Sequence, residues 1–393
     1  MKKIIAILLT GVMLLGLCAC ANDPAPEQTT TEPGLDVTAT DVDIAKLDGL
    51  YAGRQAYHGE MHDHANTGGY SDGNNTLDEW KVMMEKEKDM DFAAIVDHKQ
   101  VLHMTIPQWD DTLFIGGTEA GTHVTGTSAT QDQVHYAMTF TDVDSFEKTL
   151  LAFPLQYQYL PAADYTNRYY YNNFRYEDMC QLAQTVLDNG GFFTHVHPMG
   201  DTYMLSDNPL DYLFAEYTGL EVLCSWYGNM SAVNNQESYK LWTDLLALGK
   251  RVYATAGSDS HRLSNLISLT TLYATQKNAR GYLDQVRAGN FTAGPAGVRM
   301  AVGDTQMGGE GSFAGQRLVV SVGDFHSKAS NPEHTYRVDL YDDKGLVFSQ
   351  ELKGMEPQYF AMDADASAKF YRAEVYDVTE GYQFALGNPI WNS

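Results

Sequence analysis

Positive charge is scarce in this chain: its 393 residues carry 26 Lys and Arg against 51 Asp and Glu, a formal net charge of -25. Nucleic-acid binding draws on counterion release at a basic surface, so that class of partner is excluded. Loose adsorption to anionic lipid is disfavoured for the same reason, and the acidity reads as a solvated face. Cysteine is scarcer still, with 4 in all, and two of these, Cys18 and Cys20, stand near the N-terminus. Cys180 and Cys224 remain. In an oxidising compartment they would be free to pair; two buried free thiols are the equal alternative, and spacing alone does not choose.

An apolar run of membrane-spanning length is also missing. Lys2 and Lys3 precede an apolar stretch over residues 4–17, which is too short to cross a bilayer and has the form of a signal peptide. It ends Leu17-Cys18-Ala19-Cys20, which resembles the lipobox of bacterial lipoproteins, where cleavage before the last Cys exposes a thiol for acylation. Residues 1–19 are then the signal and Cys20 the lipidation site; the alternative is an ordinary cleaved signal with Cys20 incidental. Residues 20–50, rich over 21–40 in Pro, Thr, Asp and Glu, suit a flexible tether. The expected location is extracytoplasmic, anchored by lipid to a bacterial membrane.

What the chain does contain is an ordered series of His and acidic clusters, each closing a short apolar run. They are His62-Asp63-His64, Asp97-His98, Gly117-Thr118-Glu119, His135, His195-Val196-His197-Pro198 and Gly257-Ser258-Asp259-Ser260-His261. Neutral imidazole and ionised carboxylate bind borderline and hard divalent metals. A strand that ends in such a residue places its donor at the strand-end rim where α/β enzymes assemble active sites. Of His195 and His197, only one is expected to face the metals, and the following Pro198 favours His197 as the inward one. His58 falls on the same face as His62, deeper in its strand, and reads as a buried structural histidine. Glu221, on the strand after His197, is a weaker candidate for orienting a ligand.

Between residues 51 and 297 strand-like and helix-like segments alternate, the pattern of a parallel α/β architecture. Thr76 reads as the N-cap of a helix over residues 76–88, with Asp78 and Glu79 in its first turn. Residues 92–96 form a buried-strand run, residues 176–189 a helix stopped by Gly190-Gly191, and residues 251–256 a strand running into Gly257. Seven or so strand–helix units, with donors at nearly every strand end, fit a barrel better than a doubly wound sheet. An insertion carries Tyr157, Tyr159, Tyr165, Tyr169, Tyr170, Tyr171 and Tyr176, either a wall for substrate or an aromatic satellite core. From residue 298 to 393 the pattern turns to alternating β segments with a turn at Asp342-Asp343-Lys344-Gly345, a small antiparallel β domain. His326 and His334 there read as loop histidines.

Over residues 51–297 the motifs resemble the polymerase and histidinol phosphatase (PHP) superfamily. Its H-x-H, D-H, H-P and D-x-H motifs stand here as His62-Asp63-His64, Asp97-His98, His197-Pro198 and Asp259-Ser260-His261. The S-D-G that follows H-x-H is Ser71-Asp72-Gly73, set further away by Gly68, Gly69 and Tyr70. Gly117-Thr118-Glu119 matches the G-x-E motif, whose Glu typically bridges two metals. His135 fits the next family position best, with His123 as its rival. The ending Asn388-Pro389-Ile390-Trp391 and the β tail resemble secreted members grouped with carbaryl-hydrolase-like metallohydrolases.

The resemblance implies a distorted (β/α)7 barrel holding two to three divalent metal ions (Mn, Zn or Fe). The implied ligands are His62, His64, Asp72, His98, Glu119, His135, His197, Asp259 and His261, with Glu119, Asp259 and His261 central to catalysis. Six of the 12 histidines fall on motif positions in order. Several divalent ions set against Asp72, Glu119 and Asp259 would leave a positive pocket suited to a small anionic substrate, above all a phosphate ester. Lys99 and Arg262, beside two of the ligands, are available to meet its charge. The expected activity is hydrolysis by metal-activated water, a phosphoesterase first. Attack on an ester, carbamate or amide carbonyl is the alternative, and a non-catalytic metal-binding surface lipoprotein a third class.

Overall fold

The alternation of short apolar runs with amphipathic segments produces helices and strands where expected, but in a mixed sheet. The computed structural model describes residues 37–68, 71–152, 172–200, 203–263 and 268–393. The leader with Cys20, and Tyr157, Tyr159, Tyr165, Tyr169, Tyr170 and Tyr171, lie outside the described residues. Residues 41–50, assigned to the tether by composition, instead form helix α1 (Asp41–Leu50). Thr40 and Asp43 cap it reciprocally, Leu47 is fully buried, and Asp43 pairs with Arg317 at 3.0 Å. Local capping and one buried leucine outweigh the polar composition.

The sheet opens with β1 (Gln55–Asp63), β2 (Phe92–Ile95), β3 (Phe114–Thr125) and β4 (Gln133–Phe140), followed by β5 (Asn172–Arg175) and β6 (Phe192–His195). Then come β7 (Thr218–Cys224), β8 (Val252–Gly257), β9 (Thr270–Ala274) and β10 (Phe291–Ala293). The intervening helices are α2 (Leu77–Met83), α3 (Val143–Ala152), α4 (Tyr176–Asp188), α5 (Val233–Ala247) and α6 (Ala279–Arg287). Thr76 caps α2 as its spacing predicts, and a π-helical turn over Met84–Lys88 extends it.

β1, β2 and β3 pair in parallel, as do β6, β7 and β8. β4 is antiparallel to both β3 and β6, and β9 to β1. This corrects the parallel architecture expected from the alternation. The seven residues between β3 and β4 leave no room for the crossover that parallel pairing requires, so a hairpin forms. β2 and β8 are buried along their whole length, the mark of strands covered on both faces.

The C-terminal strands are β11 (Gly297–Val302), β12 (Thr305–Gln306), β13 (Glu310–Gly311), β14 (Arg317–Gly323) and β15 (Tyr336–Asp342). They continue as β16 (Gly345–Glu351), β17 (Gln358–Asp363), β18 (Phe370–Asp377), β19 (Tyr382–Gly387) and β20 (Ile390–Asn392). One set, β12-β11-β14-β17, makes a four-stranded sheet; the rest join the large sixteen-stranded sheet through β10 and β19. Residues 35–393 accordingly form one compact unit. Asn388 closes the join: its Oδ1 accepts from the Ala254 N–H and its Nδ2 donates to the Phe291 carbonyl. The Asn388-Pro389-Ile390-Trp391 ending is therefore a clamp between β8, β10 and the tail. Cys180 and Cys224 are free thiols. Among the described residues no helix is long and apolar enough to cross a membrane.

Candidate metal centre

Strand ends of the large sheet deliver their polar side chains to one place. His62 and His64 are two residues apart at the end of β1 and so share a face. His98 follows β2, Glu119 lies on β3, His135 on β4, His197 after β6, and Asp259 and His261 after β8. The backbone is strained where these groups turn inward: the donors His197 and Asp259 have positive φ, at 31° and 48°, as does Lys99, next to the donor His98, at 52°. Non-glycine residues in that region cluster at functional sites, where surrounding structure holds them. Asp72 arrives on its loop because Gly73 packs against the His64 backbone, where a Cβ would sit 2.5 Å from the carbonyl carbon.

The donors form three overlapping groups: His64, Asp72, His98 and His261; His62, His64, Glu119 and Asp259; and Glu119, His135 and His197. Within each, one donor atom per residue lies within 4.8 Å of every other. Glu119 links them. Its Oε2 is 3.4, 3.2 and 3.3 Å from nitrogens of His62, His64 and His98, and its Oε1 is 2.7 Å from His135 and 3.2 Å from His197. His64 directs Nδ1 at Asp72 (3.6 Å) and Nε2 at Asp259 (3.3 Å). A neutral imidazole has one lone pair, so His64 serves one of its two groups at a time, whereas the two oxygens of Glu119 can serve both of its own.

The chemistry of these atoms fits bound cations. His62 Nε2, both nitrogens of His64, Asp72 Oδ1, Glu119 Oε2 and His197 Nδ1 are buried without a hydrogen-bond partner. Buried polar atoms normally find one, and here several converge. The donors are nitrogen and oxygen with no thiolate, a set suited to Mn, Zn or Fe. Protons are the competing occupants. Burial alone would lower the His64 pKa, but Asp259 and Glu119 lift it to about 10. Burial would raise the Glu119 carboxyl, yet His98, His135 and His197 hold it well below the usual carboxylate range.

A second layer orients the first. Glu221 takes a hydrogen bond from the His62 Nδ1–H at 3.0 Å and from the His197 backbone N–H at 2.8 Å, fixing the tautomer that leaves His62 Nε2 toward Glu119. Gly257 makes room: a Cβ there would lie 2.4 Å from Glu221 Oε1 and 2.5 Å from the His62 Cβ. Asp97 turns away from the donors. It accepts from the Ala65 N–H and the Thr67 hydroxyl and pairs with buried His103 at 3.3 Å, bracing the loop that follows His64.

The remaining sequence candidates fall elsewhere. His195 is buried on the opposite face, its Nδ1 bonded to the Tyr212 carbonyl and its ring stacked on Tyr212; burial lowers its pKa to about 4. His123 pairs with Asp132 near the β3–β4 turn, outside the three groups, and His58 bonds Thr271. His326 and His334 hold loops through Asp89 and Asp377. Lys99 and Arg262, the residues expected to meet substrate charge, follow the donors His98 and His261 in the chain; burial lowers the Lys99 pKa to about 8, and Arg262 is exposed. Sequence reading missed the Asp97–His103 brace, and also Tyr203 and Trp226, whose rings flank His197 and His261. Those two stand in loops with no periodic signal.

Metal binding should release protons, because Asp259 and Glu119 raise the pKa of His64 and so favour its protonated form in the ion-free protein. Mn or Zn affinity is then expected to strengthen as pH rises from 6 to 8 and to weaken as it falls, with calorimetric heats that vary with buffer ionisation. Affinity independent of pH would contradict this. Glu221→Gln should lower metal affinity about 10- to 100-fold while far-UV circular dichroism stays native. Unchanged affinity would show that Glu221 does not orient the donors.

No protein-family model matches this chain, and no curated protein matches it. Its functional reading therefore rests on donor geometry and chemistry, which are those of a candidate multinuclear metal centre.

Proposed function

We propose that this chain is a metal-dependent hydrolase of the PHP type, a phosphoesterase exported and lipid-anchored through Cys20. The carrying observation is the set of three overlapping donor groups, two of them sharing the buried carboxylate of Glu119 and two sharing His64. The proposed barrel is supported by the return of the chain after β8 to β1. Asp63 and Ser260 form a parallel bridge, Asp259 N–H donates to the His62 carbonyl and His64 N–H to the Ser260 carbonyl.

His62, His64, Asp72, His98, Glu119, His135, His197, Asp259 and His261 would hold two or three divalent ions. When bound, such ions supply Lewis acidity toward the substrate's oxygens and a lowered pKa for water. The protein's own part is positional. His62, His64, Glu119 and His197 are almost fully buried, while Asp259, Asp72, His98 and His261 keep side-chain exposures of 17, 20, 21 and 24%. Substrate therefore enters over that rim, with its reacting group toward Glu119 and its leaving group outward. Donors fixed by Glu221 and by strained backbone need little reorganisation during reaction.

The test is turnover of the Mn- or Zn-loaded full chain on phosphomonoesters, phosphodiesters and aryl carbamates in parallel. Phosphoester hydrolysis is expected, and Glu119→Gln should reduce it by about 1000-fold or more with melting temperature retained, because the amide keeps volume but loses charge. Turnover of carbamates alone would redirect the reading to carbonyl chemistry. Near-wild-type turnover in metal-loaded Glu119→Gln would remove Glu119 from the centre.

A further inference from the structure

Trp226 is 57% exposed, an unusual position for the side chain with the largest apolar surface. It sits in the 3-10 turn Ser225–Tyr227, directly after β7, and its ring centroid lies 6.1 Å from that of His261 at an interplanar angle of 68°. His261 is the most exposed of the rim donors, so the indole stands where substrate enters.

The turn that carries the indole is firmly held. Asn235, buried on α5, accepts the Cys224 N–H through Oδ1 and donates Nδ2 to the carbonyls of Cys224, Gly228 and Asn229. The Gly228 N–H closes the turn onto the Ser225 carbonyl. One buried amide thus satisfies the backbone on both sides of Trp226, and the exposed ring is presented on a braced support. Another part of the centre is walled by Tyr203, whose ring packs 4.6 Å from His197 and 4.8 Å from His135.

We propose that Trp226 is the specificity platform for a planar aromatic leaving group, so that the preferred substrates are aryl phosphoesters. This rests on the phosphoesterase reading above. An indole face attracts another π system edge-on or offset beyond simple area burial. Trp226 is the immediate neighbour of the rim donor His261, with ring centroids 6.1 Å apart, so a ring carried directly on the ester oxygen of a phosphoryl group held over the rim donors would lie within reach of the indole. The low count of basic residues in the chain also favours a compact anion over a polyanion.

Rates would confound recognition with leaving-group acidity, so the test is binding of stable analogues. Phenylphosphonate and cyclohexylphosphonate, alike in charge and similar in size, are titrated calorimetrically into the Mn-loaded full chain, its Trp226→Leu variant and its Trp226→Phe variant. The wild type should bind the phenyl compound about three- to tenfold tighter. Trp226→Leu should abolish that preference and leave cyclohexylphosphonate affinity within about twofold, while Trp226→Phe retains part of it. Equal binding of the two compounds by wild type, or a preference that survives in Trp226→Leu, overturns the platform and leaves the phosphoesterase reading standing. Failure of both phosphonates to bind the metal-loaded wild type overturns both readings. Melting temperature and metal content, measured on each variant, separate these outcomes from misfolding.

Discussion

A buried carboxylate surrounded by imidazoles is the interaction on which this structure depends. Glu119 is 1% exposed, and nitrogens of His62, His64, His98, His135 and His197 all lie within 3.4 Å of it. Burying one such charge is costly unless opposite charge and hydrogen bonds compensate it. Compensation here comes from residues far apart in sequence, so the carboxylate specifies which strand ends must meet. Cations or protons have to balance the surplus lone pairs, and that choice couples occupancy of the centre to pH. The left-handed backbone at His197 and Asp259 is a local cost of the same convergence.

The scaffold is arranged to hold that point still. Glu221 ties together donors from β1 and from the segment after β6, and Asp97 braces the loop between His64 and Asp72. The C-terminal strands are part of this support. Asn388 bonds backbone of β8 and β10, while Tyr239 on α5 bonds Glu374 on β18, which pairs in turn with buried Arg372. Asn235, on that same helix, fixes the turn bearing Trp226, so the tail and the rim of the centre share one brace.

Much of this was legible in the sequence because strands advertise their ends. A run such as Phe92-Ala93-Ala94-Ile95 followed by Asp97-His98 states both burial and the point where polarity resumes. The separation of His195 from His197 was not legible, because strand period alone would put both on one face; β6 ends at His195 and the backbone turns at His197, whose φ is 31°. Side-chain direction inside a motif was less legible. Asp97 precedes a donor yet faces the other way, onto Ala65, Thr67 and His103, and nothing in the linear pattern marks that. The direction of β4 was hidden as well, since strand sequence carries no polarity and only the shortness of its connection reveals the hairpin. Helix α1 escaped notice because its composition is polar and its stability comes from Leu47 and Asp43 meeting residues hundreds of positions away. Trp226 lies on a turn, where no periodicity operates.

The central claim is that these side chains converge in order to hold several divalent ions. Anomalous diffraction at the Mn edge, from crystals of Mn-loaded protein, tests it most directly by locating each ion among the side chains. The account predicts at least two peaks, one between Glu119 and His197 and another beside Asp259 or Asp72, with Glu119 near both. A single peak remote from Glu119, or no peak within its surroundings at full Mn loading, would contradict it.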